Sequence, residues 1–166
     1  MFTPIQIELG LDSFFQQQLI EDDLSAARPV RVMNVHRSGL QLAGEDFDRH
    51  VELTSGDHDL QPTVGDWLLI DMSTHRLIRR LDRKSLFKRR APGTGRREQL
   101  IAANVDTLFI VSSCNEDFNE ARLERYLAIA REAQAMSVIV LTKSDLSDVP
   151  LEFVNKARKL APALLS

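Results

Sequence analysis

Ser137-Val138-Ile139-Val140-Leu141-Thr142-Lys143-Ser144-Asp145 sets an apolar run, rich in β-branched residues, directly against a polar tetrapeptide. A short run of this kind reads as a strand buried on both faces, the state of strands in parallel sheets covered by helices. Upstream, Val105-Asp106-Thr107-Leu108-Phe109-Ile110-Val111 has the same character. Between them Leu123, Tyr126, Leu127 and Ala130 recur at helical spacing to form one apolar face. Arg122, Glu124, Arg125, Arg131 and Glu132 lie mostly on the other, and Asp117 and Glu120 have capping-box-like spacing at the start. Strand, helix and strand in this order predict a βαβ unit with parallel strands. Residues 151–164 begin a further helix.

Towards the N-terminus the period changes. Val30 to Val35, Leu40 to Leu42, Val51 to Thr54, Trp67 to Asp71 and Arg76 to Leu81 read as five short strands separated by polar and glycine turns. Five strands in so short a stretch suit a small closed barrel, and the OB-fold is the preferred reading. Spacing alone does not separate it from an SH3-like barrel. Ahead of the barrel, Leu11, Phe14, Phe15 and Leu19 predict a docked helix with Asp12 or Ser13 as N-cap. The fold class expected is therefore multidomain α+β: residues 1–82 a five-stranded OB-type barrel with its helix, 83–99 an exposed basic linker containing Ala91-Pro92-Gly93-Thr94-Gly95, and 100–166 the first part of an α/β domain.

The overall charge of −3 conceals a sharp asymmetry. Residues 1–75 carry four Lys/Arg against thirteen Asp/Glu, residues 76–97 ten against one, and residues 98–166 seven against ten. Such a concentration attracts polyanions even when the whole chain is slightly acidic. Arg79, Arg80, Arg83, Lys84, Lys88, Arg89, Arg90, Arg96 and Arg97 are accordingly candidate contacts to RNA phosphates. Trp67 and Phe87 are the aromatic residues placed to stack on bases. For Trp67, beside Leu68 and Leu69, barrel core is the preferred reading.

Leaving alanine aside, no uninterrupted aliphatic or aromatic run exceeds four residues, as at Leu108 to Val111 and Val138 to Leu141, far short of the roughly 20 needed to span a bilayer. The first eight residues have no basic region leading into an apolar stretch, so no secretory signal is read there. The single cysteine, Cys114, cannot form an internal disulfide and reads as a packing residue at a strand end. A cytoplasmic monomer without membrane association is expected. His36, His50, His58 and His75 lack ligand spacing, and Asp57-His58-Asp59 reads as a polar turn, so no metal ligands are assigned.

Thr142-Lys143-Ser144-Asp145 has the pattern [Asn/Thr]-Lys-x-Asp that reads guanine in GTPases. A carboxylate at the fourth position accepts hydrogen bonds from both N1–H and the exocyclic amine of guanine. Adenine lacks that pair of donors and would leave the carboxylate unsatisfied. Lys143 would lay its aliphatic stem along the base, and Thr142 would brace the loop. Taken alone, the tetrapeptide fits equally a solvated turn in which Ser144 or Asp145 caps the next helix.

Gly65-Asp66-Trp67 after Val64, the basic linker, Gln99 to Asp106, Asn115-Glu116-Asp117-Phe118-Asn119, Leu123-Glu124-Arg125-Tyr126-Leu127 and Val140 to Leu146 occur in an order that resembles the ribosome small-subunit-dependent GTPase family (RsgA/YjeQ). The resemblance is strong between Gln99 and Leu146 and weaker before Arg28. It implies a circularly permuted P-loop GTPase acting in late maturation of the 30S subunit, with an OB-fold docked on 16S rRNA. It also implies GTP and Mg²⁺ as ligands and a zinc-binding region towards the C-terminus. The permutation places the guanine motif before the phosphate loop, and no Gly-x-x-x-x-Gly-Lys-[Ser/Thr] or Asp-x-x-Gly occurs in the 166 residues. The chain is thus expected to be a front part cut off before its phosphate loop, with no catalytic residues of its own. The competing expectation is a non-enzymatic OB-fold nucleic-acid-binding module with a structural βαβ tail. The coding sequence after residue 166 would separate the two.

Overall fold

The computed structural model describes residues 3–19, 25–90 and 98–160, apart from the side chains of Ser55, His58 and Arg90. The chain divides into two compact units, Met1–Asn104 and Val105–Ser166.

The first unit is built on five antiparallel strands: β1 (Ala27–Val35), β2 (Gly39–Gly44), β3 (Phe47–Glu52), β4 (Trp67–Asp71) and β5 (Leu77–Arg80). Their order is β3-β2-β1-β4-β5. Alternation decides the packing, because successive side chains leave a strand on opposite faces. Val30, Val32, Leu40, Leu42, Phe47, Leu68 and Ile70 form one core. Trp67 points the other way, into a second cluster with Leu11, Phe15 and Leu81. That is why β4 is buried along both faces, and it settles Trp67 as a core residue, wholly enclosed. The sheet does not close into the expected barrel: β3 and β5 are its two edges. β5 instead lies beside the 3₁₀ turn Ser55–Leu60, whose Leu60 carbonyl accepts a hydrogen bond from Arg80 Nε at 3.0 Å. A further difference is that β3 starts at Phe47, ahead of the expected Val51.

Where one docked helix was expected, there are two single turns, α1 (Pro4–Glu8) and α2 (Ser13–Gln16), broken at Gly10. Asp12 caps α2 by accepting from the Phe14 amide at 3.0 Å. Leu11 and Phe15 are the residues that dock, while Phe14 stays partly exposed.

The largest correction falls on residues 83–99. Leu86–Arg90 (β6) and Glu98–Ala103 (β7) are antiparallel paired strands, with residues 91–97 of the expected linker outside the described residues. This pair belongs to the first unit because its base is bonded to the segment that leads into β4. Ala103 N donates to Val64 O at 2.8 Å, and Asn104 N donates to Ser85 O at 2.9 Å. The Asn104 amide donates to Gly65 O and accepts from Lys84 N, both at 2.9 Å. Gly65 is obligatory at this seam: its φ is +89°, and a Cβ there would lie 2.1 Å from the Ala103 carbonyl oxygen. The seam moves the boundary of the compact units to Asn104, beyond the composition change that marks it in sequence.

The second unit is the expected βαβ arrangement. β8 (Thr107–Ser113) and β9 (Met136–Thr142) are parallel, in register from Thr107 opposite Met136 to Ser113 opposite Thr142. Helix α3 (Glu120–Glu132) crosses between them, and α4 (Pro150–Leu160) follows. The N-cap of α3 is Asn119, accepting from Arg122 N at 2.8 Å, and not Asp117. Leu123 and Ala130 are buried as expected, whereas Tyr126 lies at the helix surface. No helix among the described residues is long and apolar enough to cross a membrane.

Candidate functional site

Parallel strands end together, so the loops that follow β8 and β9 meet at one end of the sheet, where α/β proteins bind ligands. Thr142 is the last residue of β9 and lies opposite Ser113, the last of β8. Its carbonyl accepts from Cys114 N at 2.9 Å, and its Oγ1 donates to Ser112 O at 3.4 Å. Thr142 therefore braces the loop, and buried Cys114 sits at the strand end. Lys143 then turns the chain sharply, with φ 56° and ψ 30°, a left-handed conformation that side-chain-bearing residues rarely adopt. Ser144–Leu146 forms a 3₁₀ turn, closed by Leu146 N donating to Lys143 O at 3.2 Å. Lys143, Ser144 and Asp145 are all exposed. The polar groups of Lys143 and Asp145 thus stand on a turn anchored to the sheet through Thr142.

The loop after β8 is tied by its own network, which sequence reading did not single out. Ser113 Oγ donates to Asn115 Oδ1 at 2.7 Å, and Asp117 N donates to the same oxygen at 3.0 Å. Arg122 Nη2, from α3, donates to Asp117 O at 2.6 Å. The signal was present as Asn-x-Asp after a strand, a pattern that favours a side-chain-bonded turn.

The basic residues divide into two groups. Arg83 sends Nε and Nη2 to the two carboxylate oxygens of Asp66, each at 2.7 Å, and Asp66 is wholly buried. Asp66 also accepts from Thr63 N at 2.8 Å. Arg83 is thus a structural cation inside the fold, not a surface one. Lys84 pairs with Asp12 and stands 5.2 Å from the centre of the Phe15 ring. Arg79 Nη2 donates to Gln18 O at 2.6 Å, and Arg80 holds Leu60 O. Burial first, and then the charge of Arg83, pulls the Arg80 pKa below its ordinary value. These cations serve the packing of the N-terminal turns and the 55–61 segment against the sheet.

Lys88 and Arg89, on β6, form the second group. Both are exposed, and across the strand pair Lys88 bridges to Glu98 at 3.0 Å and Arg89 bonds to Gln99 at 3.1 Å. The side chain of Arg90, and Arg96 and Arg97 entirely, lie outside the described residues. Phe87 is buried, so neither it nor Trp67 offers a free face for stacking. The described residues contain no cluster of three or more His, Cys, Asp or Glu side chains suited to a metal ion.

The family model described as RsgA GTPase matches residues 80–163. The chain is similar to the small ribosomal subunit biogenesis GTPase RsgA 2 of Vibrio parahaemolyticus, 48% identical over 159 residues that cover 95% of this chain and 43% of that protein. It is 47% identical over 166 residues to the small ribosomal subunit biogenesis GTPase RsgA of Mesorhizobium japonicum, covering 98% and 45%. The protein of the same name from Methanosarcina acetivorans is 45% identical over 102 residues, covering 59% and 28%. The chain therefore spans less than half the length of these relatives.

Proposed function

Because the chain belongs to the RsgA GTPase family, we propose that it forms the guanine-reading corner and the RNA-docking unit of a cytoplasmic GTP hydrolase. That enzyme acts in late maturation of the 30S ribosomal subunit, on 16S rRNA. The observation that carries the reading is the position of Thr142-Lys143-Ser144-Asp145 at the carboxyl end of a parallel strand pair, on a turn fixed by the Cys114–Thr142 bond. There the Asp145 carboxylate accepts from N1–H and the exocyclic amine of guanine, and Lys143 lies along the base.

Phosphoryl transfer needs a backbone cradle, a lysine at the terminal phosphates and Mg²⁺. The 166 residues hold neither phosphate-loop nor Asp-x-x-Gly pattern, and their described carboxylates, histidines and cysteine do not group as donors for Mg²⁺ or Zn²⁺. The chain by itself then neither hydrolyses GTP nor holds it tightly, and a guanine motif with no phosphate loop ahead of it is the arrangement a circularly permuted domain would have. The five-stranded sheet is read as an OB-type barrel left open between β3 and β5, with β1 between β2 and β4 as its central strand. Its RNA contact lies on the β6–β7 hairpin, through Lys88 and Arg89, with Arg90, Arg96 and Arg97 as further candidates. Exposed ion pairs such as Lys88–Glu98 are weak enough for a polyanion to replace.

The test is titration of the isotope-labelled chain with GMP and with AMP. Amide shifts confined to residues 142–146 and to GMP are expected. Equal response to both nucleotides would refute the base reading, and tight Mg²⁺-dependent GTP binding by this chain would refute its inactivity. In the protein carrying the phosphate loop, Asp145→Asn should exchange preference for guanine for preference for xanthine, whose additional carbonyl accepts what Asn donates.

A further inference from the structure

We propose that Asn115 is a positioning residue for the base-reading turn, acting through Cys114 and Thr142; this rests on the guanine reading above. The geometry runs in three short links. Asn115 Oδ1 accepts from Ser113 Oγ at 2.7 Å and from Asp117 N at 3.0 Å, closing a turn over the end of β8. Because a backbone N–H only donates, the amide oxygen of Asn115 must face the Asp117 N–H, and its nitrogen then lies 3.5 Å from Asp117 Oδ2, to which it donates. Inside that turn, Cys114 N donates to Thr142 O at 2.9 Å. Thr142 O is the carbonyl immediately before Lys143, the residue held at φ 56°. A left-handed residue that carries a side chain persists only where neighbouring bonds over-determine it. Here those bonds are Cys114–Thr142 on one side and Leu146–Lys143 on the other.

The β8 turn has a second anchor, since Arg122 on α3 donates to Asp117 O at 2.6 Å. Among the described residues, Asn115 is therefore the side chain that accepts from both Ser113 and Asp117, across the turn that holds the Cys114 amide on Thr142. It is exposed and fills no core position, so packing gives no reason for an asparagine there. Loss of its oxygen should let Cys114 and Thr142 separate, relax Lys143 and displace Asp145. The site would then lose discrimination for the base, while contacts to the rest of the nucleotide would be untouched.

Two readouts separate this role from general destabilisation. In the present chain, Asn115→Ala should speed amide hydrogen exchange at Cys114 and Leu146 and shift the Lys143 backbone coupling away from its left-handed value. Exchanging the pair, Asn115→Asp with Asp117→Asn, keeps that acceptor and the side-chain contact between 115 and 117, and should restore both. In the protein carrying the phosphate loop, the measured quantity is the ratio of affinities for GDP and IDP, since inosine lacks only the exocyclic amine that Asp145 reads. Asn115→Ala should lower that ratio about fivefold, the equivalent of one hydrogen bond, and the exchanged pair Asn115→Asp with Asp117→Asn should recover most of it. A large ratio left unchanged by Asn115→Ala, or unchanged exchange at Cys114, overturns the role of Asn115. A ratio of one in the unsubstituted protein overturns the guanine reading itself.

Discussion

In the first unit Trp67, Leu68 and Ile70 are wholly buried on an interior strand of a five-stranded sheet, with cores on both its faces. In the second, Phe109, Val111 and Met136 stand 63%, 61% and 64% exposed on one face of a two-stranded sheet. The difference follows from strand direction. Antiparallel strands joined by short turns gather their own cover from nearby sequence. A parallel pair gains one helix from its crossover and needs further elements for its other face. Ile110 and Ser112, on the α3 side, are buried accordingly, while residues 107, 109 and 111 look outward. The first unit also takes up several of its own cations, among them Arg79, Arg80, Arg83 and Lys84, whereas the second leaves the polar turn at Lys143 to Asp145 exposed.

The chain has one tryptophan and one tyrosine, and they fall in different units, so each unit reports on itself. The largest effect is expected from Asp66→Asn, which removes from a wholly buried site the charge that partly buried Arg83 pairs with: a loss of about 3 kcal/mol. It should be read as a lowered urea midpoint in Trp67 fluorescence with the Tyr126 transition in place. Leu123→Ala should do the converse, costing about 2–3 kcal/mol at Tyr126 only. Were both probes to move together in either variant, the two units would be one cooperative body and the contrast would collapse.

Lys88→Gln with Arg89→Gln should leave both transitions within about 0.5 kcal/mol. The same pair should reduce the log–log salt slope of RNA binding by about 1.5. Arg83→Gln, by contrast, should lower stability first, and an RNA defect without unfolding would reverse the division of the cations into structural and exposed groups. Phe109→Ser should change the Tyr126 transition by no more than about 0.5 kcal/mol, because the ring is already in solvent. The smallest change concerns acid. The Ser73 hydroxyl, with the Thr74 amide and hydroxyl and the Ser73 amide, holds the Asp71 carboxyl far below the usual carboxylate range. A depressed folded pKa stabilises above about pH 4 and is lost as pH falls through the lowered value. The difference between Asp71→Asn and the parent, measured by Trp67, should therefore be present at neutral pH and shrink in strong acid.

Much of this architecture was legible along the chain because it depends on local period. The strands at Val30, Leu40 and Trp67, the α3 stripe at Leu123 and Ala130, and the turn at Thr142 all follow from residues a few positions apart. The hairpin of β6 and β7 was hidden because Lys88, Arg89 and Arg90 made a charged run look like linker. Its strand character comes from Phe87, buried, and from Asn104 and Ala103 bonding back to residues 64, 65, 84 and 85. Barrel closure was overread, since alternation marks which faces are buried but not whether the two edge strands meet.

The family, the order of the two units and the polar tetrapeptide Thr142 to Asp145 at the end of a buried strand are all written in the residues alone. Which cations are taken up inside the fold was settled by packing. Charge is written residue by residue, but a partner such as Asp66 for Arg83, or Asp12 for Lys84, is brought near only when distant strands and turns pack. Packing likewise holds Lys143 left-handed through an amide far away in the chain, in the loop after β8, a contact that exists because parallel strands end at the same edge.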